Sequence, residues 1–225
     1  MQNLLNKIDF KINSNLFLKD PNSSLLGQNI IKGSIDLIYS KGIEGFTFRK
    51  LAKKINSTEA SIYRYFENKH KLLLFLISLY WSWVEYNLVF SIVNLSDDEK
   101  KFVKALELLC NPMDSFQNDK LDLDKLNSII ISESAKSFLT KEVDKEERNG
   151  YYYGFEGIVN RLSDIISNFN RNYKYPKALS STIIESIILQ KFFYEHLPTI
   201  SDIKDDGNPL DFIKDLAISR LKNDK

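Results

Sequence analysis

Hydrophobic residues recur at intervals of three and four along most of the chain, a spacing that predicts amphipathic helices. The first such helix is predicted from Leu25 to Ser40, and Gly42 stands where a helix-ending glycine is expected. A short second segment follows Thr47, and a third begins near Thr58. No stretch shows the period-two alternation of a strand, so the sequence predicts an all-α fold.

The most apolar run covers residues 72–84 and lies within a helix predicted from Lys69 through at least Val89. Thirteen residues fall short of the roughly 20 that a membrane-spanning helix needs, so we predict a buried helix. Further helices are predicted over residues 100–110, 125–139, 151–170, 176–196 and 210–221. Ser96 is the expected N-cap of the first of these, and Pro176 opens the segment 176–196.

The two short segments after residue 46 have the spacing of a helix-turn-helix. Thr47 and Thr58 are each placed to cap a helix N-terminus, and Asn56-Ser57 forms the polar break between the two helices. Ile62 and Phe66 are four residues apart, so both face the core together with Phe48. The outward side of the second helix is then free to enter a major groove.

Positive charge is concentrated in this region. Between Lys41 and Lys71 there are eight basic and three acidic residues, a net charge of +5 in a chain whose total is +1. The remainder of the chain therefore carries a net charge of −4. A local basic patch on a nearly neutral protein is the electrostatic footprint of a phosphate-binding surface, although most charge runs are only solvated helical faces.

Side-chain chemistry gives these residues different expected roles in DNA binding. Phosphate contacts are expected from Thr47, Lys50, Tyr63 and Lys69. Base-edge contacts are expected from Thr58, Glu59, Ser61 and Arg64, with Arg64 as a guanine reader and Ala60 against a thymine methyl. Glu59 has an equal alternative role as a helix-capping carboxylate, and Tyr65 is expected to pack under the next helix.

Several residue types also stand at fixed spacings between residues 25 and 76: Gly42, Phe46-Thr47, Leu51-Ala52, Ser61-Ile62-Tyr63, Tyr65-Phe66 and Lys69. This pattern resembles the DNA-binding signature of the tetracycline-repressor (TetR/AcrR) family. The family usually has Gly-Val where this chain has Asn56-Ser57, and often a His where it has Tyr65. Asn tolerates the left-handed backbone that such a turn requires, so the same path is expected.

The predicted organisation has three parts. Residues 1–24 form an N-terminal extension, residues 25–72 a three-helix helix-turn-helix domain, and residues 73–225 a larger helical domain for effector binding and dimerisation. Lys7, Lys11 and Lys19 could make the extension a DNA-contacting arm, but Asp9 and Asp20 dilute their charge. We therefore expect a packing extension or a frayed tail.

The resemblance implies a small-molecule pocket and a four-helix dimer bundle in the larger domain. Aromatic candidates for the pocket are Trp81, Trp83, Tyr86, Phe90, Phe102 and Tyr152. Aromatic residues at helical spacing are more often plain core, which is the default interpretation. The wide apolar stripes of the last two long helices supply the candidate dimer residues Phe155, Ile158, Leu162, Ile166, Ile184, Ile188 and Phe192.

The residue inventory argues against an enzyme. His70 and His196 are far apart and lack a metal-ligand spacing, and no phosphate loop, nucleophile elbow or cysteine pair is present. We expect no catalytic residue, metal or cofactor. Cys110, the single cysteine, is expected to be a buried apolar residue, which suits a reducing cytoplasm.

Two functions remain open from the sequence. The first is a homodimeric, ligand-responsive transcriptional regulator, most simply a repressor, that binds a palindromic operator in double-stranded DNA. The second is a helical module that binds a small molecule or a partner and whose basic segment is only a solvated surface. Sequence preference in DNA binding distinguishes them, because a solvated basic surface binds every duplex weakly and in a salt-sensitive way.

Overall fold

The computed structural model describes residue 10 and residues 12–114, 121–204 and 206–223. Every regular element in these residues is helical, which confirms the predicted all-α class. The α-helices are α1 (Leu25–Gly45), α2 (Phe48–Lys54), α3 (Glu59–Tyr63), α4 (Lys69–Ile92), α5 (Asp98–Cys110), α6 (Leu123–Glu133), α7 (Ala135–Phe138), α8 (Val143–Arg148), α9 (Tyr153–Phe169), α10 (Pro176–His196) and α11 (Leu210–Asn223). Short 3₁₀ turns lie at Ser14–Leu16, Pro21–Ser23, Pro112–Asp114 and Pro198–Ile200.

We refer to α1, α2 and α3 together as the reading head. Ser24 caps α1, and its side chain accepts a hydrogen bond from the Gly27 N–H. Gly42, where the helix was predicted to end, has φ +65 and ψ 168, a backbone conformation that favours glycine; α1 kinks there and continues to Gly45. The core of the reading head consists of side chains from all three helices and the following segment: Ile30, Ile35, Ile38, Leu51, Ile62 and Phe66, each no more than 2% exposed.

Several element boundaries differ from the predicted ones. Asp97 rather than Ser96 caps α5, because it is the Asp97 carboxylate that accepts from the Lys100 N–H. The helix predicted over residues 125–139 is instead two helices, α6 and α7, that meet at Ser134. The charged stretch 140–150, which lies between two of the predicted helices, contains α8 and the buried Glu146.

The chain divides into two compact units. The first comprises residues 1–81 and 117–155, and the second comprises residues 82–116 and 156–225. In the first unit α6 packs along α1, so the reading head shares its unit with α6, α7 and α8. In the second unit α11 packs on α5 and α10, and the Phe102 and Phe169 rings stack at 5.8 Å.

One helix among the described residues, α4, is long and apolar enough to cross a membrane, with a mean hydropathy of 1.4 in its most apolar window. That window is 72% buried inside the protein. Such burial is characteristic of a core helix, as predicted for the apolar run 72–84.

Candidate nucleic-acid interface

The turn between α2 and α3 is built around a residue in the left-handed conformation. Asn56 has φ +50, and it is the one non-glycine residue with positive φ in the described part of the chain. The Ser57 N–H donates to the Ala52 carbonyl at 2.9 Å, which is the long closing bond of a Schellman motif. Asn therefore performs the role of the glycine more usual at this position, as the sequence predicted.

The recognition helix α3 is held at its start by two hydroxyl side chains. The Thr58 hydroxyl accepts from the Ser61 N–H at 3.2 Å, and the Thr58 and Ser61 hydroxyls lie 2.9 Å apart. Thr58 is thus the N-cap, and Glu59 projects from the first turn as an exposed carboxylate. Capping by Thr58 leaves Glu59 available for a contact outside the protein.

The predicted base-reading side chains lie on the outward side of α3. Glu59, Ala60 and Arg64 are exposed, and Ser61 is half-buried. Tyr63 is 50% exposed and rests its ring 4.9 Å from that of Phe48, so its hydroxyl end is held at the surface. Tyr65 is 2% exposed, in agreement with the expected packing role.

Two of the predicted phosphate-binding lysines, one in α2 and one at the start of α4, extend their ammonium groups to the C-terminal end of α1. The Lys50 ammonium donates to the Gly45 carbonyl at 2.6 Å, and the Lys69 ammonium donates to the Ile43 carbonyl at 3.1 Å. Lys69 is also 3.9 Å from the Glu44 carboxylate. An ammonium group has three donors, so each lysine keeps hydrogen-bonding capacity for a phosphate. Thr47 is the exposed N-cap of α2 and accepts from the Lys50 N–H.

Two sets of basic side chains lie in the reading head and directly after it. Lys54 pairs with Asp36 at 3.1 Å, and Lys71 pairs with Glu67 at 2.7 Å. Within the described residues, Arg49, Lys53 and Arg64 are exposed and form no ion pair. These unpaired cations supply the positive field that a duplex would meet.

The reading head matches the model of a known protein family. Residues 30–75 match the model described as "Bacterial regulatory proteins, tetR family", which covers most of α1, all of α2 and α3, and the start of α4. The chain has a tetR-family N-terminal domain. The predicted resemblance is thereby confirmed, and the tetR-type reading head is a helix-turn-helix DNA-binding domain. No curated protein matches the sequence.

Solved structures of transcriptional regulators share the fold over most of their length. The complex of AibR with isovaleryl coenzyme A and operator DNA has 17% identity and a TM-score of 0.56, covering 83% of this chain and 96% of that one. The fatty acid degradation regulator FadR from Bacillus halodurans has 15% identity and a TM-score of 0.62, with coverages of 86% and 98%. A transcriptional regulator from Rhodococcus sp. Rha1 has 11% identity and a TM-score of 0.62, with coverages of 91% and 97%.

Outside the reading head, the predicted pocket residues are distributed between the two units. Trp81 and Tyr152 belong to the first unit, where the Trp81 ring lies 5.5 Å from Phe155 and the Tyr152 hydroxyl donates to Glu146 at 2.7 Å. In the second unit Trp83 and Phe102 are buried core, whereas Tyr86 is half-buried and Phe90 is 53% exposed. A surface pocket of about 620 Å³ in the second unit is lined by other residues, among them Gln190, Ile200, Lys204, Asn208 and Phe212.

Most of the predicted dimer residues contribute to the core of a single chain. Five are at most 7% exposed: Ile158, Leu162, Ile166, Ile184 and Ile188. Phe155 and Phe192 are half-buried, and Leu189 on α10 is 44% exposed. An interface on α9 and α10 would therefore use the outer sides of these helices rather than the five isoleucine and leucine side chains.

Two buried carboxylates near the reading head were not predicted. Glu133 at the end of α6 accepts from the Ile43 N–H at 3.2 Å and pairs with Lys136 at 2.7 Å. Glu146 on α8 lies 2.9 Å from the His70 ring and accepts from the Tyr152 hydroxyl. The Ile43 N–H and the His70 ring are 90 and 76 positions away from these carboxylates in the chain, so no local sequence pattern indicates either contact.

Among the described residues, no group of three or more His, Cys, Asp or Glu side chains is arranged to hold a metal ion. Cys110 is buried, and burial raises the pKa of its thiol to about 12. A thiol with so high a pKa remains protonated at neutral pH, which agrees with the expected role as an apolar core residue.

Proposed function

We propose that this chain is a transcriptional regulator that represses by binding a palindromic operator as a homodimer and is released by a small-molecule effector. The observation that carries the proposal is the division of α3 into two sides. Ile62 faces the core with 0% exposure, whereas Glu59, Ala60, Tyr63 and Arg64 project outward beside unpaired cations. A helix of this form, entered through a tight turn, suits a major groove.

Sequence reading is assigned to the exposed side of α3. Arg64 is the C-cap of the helix, and its guanidinium can present two donors to the O6 and N7 atoms of guanine. Glu59 can accept from the N4 amino group of cytosine, and Ala60 can pack against a thymine methyl group. Thr58 and Ser61 complete the candidate base-contacting set. Thr47, Lys50, Tyr63 and Lys69 set the register through phosphates.

Homodimerisation supplies the second recognition helix that a palindrome requires. Symmetric pairing through α9 and α10 would bury exposed and half-buried apolar side chains such as Leu189 and Phe192. The two half-sites are then expected about one helical turn apart, roughly 34–36 Å, or somewhat more. A reducing cytoplasm is the compartment that suits both the duplex target and the free Cys110.

The effector is proposed to act through α4, which begins at the reading head and continues into the second unit. A ligand releases the operator only if it binds the released conformation more tightly than the DNA-bound one. Isovaleryl coenzyme A is a first probe for release, because AibR, which shares this fold, was solved in complex with it and with operator DNA.

Selection from a random duplex library, followed by titration of the selected duplex, tests the proposal. We expect Arg64→Ala to raise Kd by about 5- to 150-fold, the equivalent of about 1–3 kcal/mol for a bidentate base contact. The base preference of the Arg64→Ala protein should relax at one position in each half-site. Arg171→Ala, which removes an exposed arginine from the segment between α9 and α10, is the matched control and should bind like the wild type.

Two outcomes contradict parts of the proposal. Unchanged binding of Arg64→Ala on every selected sequence excludes Arg64 as a reader. A wild-type protein that binds all duplexes equally, with affinity that falls steeply with salt, supports instead the helical module without sequence-specific DNA binding.

A further inference from the structure

The segment that precedes the reading head is packed against it. Residues 13–19, which we call the strap, lie before the region 30–75 that matches the tetR family and before the sequence resemblance begins. Leu16 in the strap is 0% exposed, so the segment is a built part of the first unit. Of the lysines considered for a DNA-contacting arm, Lys7 and Lys11 lie outside the described residues, and Lys19 is the last residue of the strap.

One end of the strap holds Tyr65, which follows the recognition helix after a single residue. The Leu18 N–H donates to the Tyr65 carbonyl at 2.7 Å, and the Lys19 ammonium lies 5.1 Å from the centroid of the Tyr65 ring. The Tyr65 hydroxyl is 2.7 Å from the hydroxyl of Ser24, the N-cap of α1. This hydrogen bond is the main reason that the pKa of the Tyr65 phenol lies below its ordinary value.

The middle of the strap shares the core at the corner between α3 and α4. The Phe17 ring meets the Phe75 ring edge-on at 6.0 Å, and Phe75 in turn meets Phe66 at 5.4 Å. Phe66 is bonded back to the recognition helix, because its N–H donates to the Ile62 carbonyl at 3.1 Å. A shift of the strap would therefore disturb the end of α3 through both hydrogen bonds and packing.

The other end of the strap holds the turn between α8 and α9. The Asn13 carboxamide donates to the Asn149 carbonyl at 2.8 Å and to the Gly150 carbonyl at 2.7 Å. Its oxygen accepts from the Asn15 N–H at 2.9 Å and so caps the 3₁₀ turn within the strap. Asn13 thus satisfies two carbonyls of a segment 136 positions away in sequence.

We propose that the strap is a positioning element for DNA reading. It fixes the C-terminal end of the recognition helix against the α8–α9 turn and so sets the angle at which the outward side of α3 enters a major groove. This inference rests on the proposed function. It adds residues outside the tetR-family region, Asn13 and Leu18 above all, to those on which sequence preference depends.

The first test compares two substitutions at Leu18, whose side chain is 66% exposed. Leu18→Pro removes the N–H that bonds Tyr65, and the extended backbone of Phe17 (φ −141, ψ 155) is the conformation that a following proline favours. Leu18→Ala keeps the N–H and removes only the exposed side chain. We expect Leu18→Pro to raise Kd for the selected duplex by about fivefold, the range of one lost hydrogen bond, and Leu18→Ala to change it less than about twofold.

The second test acts at the opposite end of the strap. Asn13→Asp keeps the oxygen that caps the 3₁₀ turn but replaces the amide that donates to Asn149 and Gly150. We again expect about a fivefold rise in Kd for the selected duplex and little change for a scrambled duplex. A merely structural role would lower both affinities together, so the ratio of the two Kd values is the decisive quantity.

Amide hydrogen exchange on the free protein provides a readout that needs no DNA. The N–H groups of Tyr65 and Phe66 bond to the Ile62 carbonyl, and we expect them to exchange faster in Leu18→Pro and Asn13→Asp than in Leu18→Ala. A wild-type protein without sequence preference refutes the proposed function, while this exchange still shows whether the strap holds the helix end.

Three results overturn the inference. The first is a Leu18→Pro protein that matches Leu18→Ala in both Kd values, and the second is an equal loss on selected and scrambled duplexes. The third applies if Leu18→Pro fails to fold: an Asn13→Asp protein whose ratio of the two Kd values and whose amide exchange both match the wild type is then sufficient to overturn the inference.

Discussion

Asp36 on α1 holds lysines from two other helices of the first unit. Its carboxylate is 2.8 Å from Lys125 of α6 and 3.1 Å from Lys54 of α2, and Lys125 also pairs with Asp122 at 2.9 Å. The hydrogen bond from Lys125 is the largest influence on the pKa of Asp36, which lies below its ordinary value. This network joins the reading head to the N-terminal end of α6, whereas Glu133 lies at the C-terminal end of the same helix.

The lowered pKa of Asp36 gives its contribution to stability a defined pH dependence. Stabilisation is present above the pKa of an unfolded aspartate, about 3.9, and is lost as pH falls through the lower folded value. We expect Asp36→Asn to reduce the free energy of unfolding by about 0.5–1 kcal/mol at pH 7, the upper range for exposed ion pairs. Urea unfolding at pH 7 and pH 3 checks this, with the exposed Asp164→Asn as control. A loss in the free energy of unfolding of Asp36→Asn that is the same at pH 7 and pH 3 would contradict the account.

Residues whose partners are local could be predicted, whereas those with distant partners could not. Thr47 and Thr58 were predicted as caps because the N–H groups that they accept from are three positions ahead. Glu146 lay in a charged stretch that a single sequence indicates to be exposed. Its partner His70 is 76 positions away, so only the fold brings the two side chains together and makes the burial of Glu146 favourable.

At the scale of elements, the α2–α3 turn determines whether the two helices of the motif meet correctly. Asn56 occupies the left-handed region at φ +50, where a side chain other than Asn or Gly costs roughly 1–2 kcal/mol. We expect Asn56→Ala to lower the free energy of unfolding by about 1 kcal/mol. Asn56→Gly should be nearly neutral, because glycine adopts this conformation without a steric penalty.

Urea unfolding of both variants measures this difference, and Asn160→Ala, an exposed substitution on α9, is the control. An Asn56→Ala protein as stable as Asn56→Gly would show that the backbone at this position imposes no constraint. The sequence identified the turn because its chemistry is local. It did not identify Asp97 as the α5 cap, because Ser96 and Asp97 are adjacent candidates of similar capping strength.

At the scale of the whole molecule, the division into units combines segments that are distant in sequence. The predicted boundary after residue 72 follows the end of the helix-turn-helix pattern and stays a prediction. The first unit includes residues 117–155, which contact the reading head at Asp36 and Ile43 and the strap at Asn13. These contacts are long-range side-chain interactions, so periodicity and composition do not reveal them.

The central claim is that two recognition helices, one from each of two identical chains, read a symmetric duplex. Sedimentation equilibrium of the protein, free and with the selected duplex, measures the number of 26.2 kDa chains in each species. We predict two chains in the free protein, and two on one palindromic duplex but not on a scrambled duplex at the same salt concentration. A single chain in solution that binds selected and scrambled duplexes alike would contradict the account.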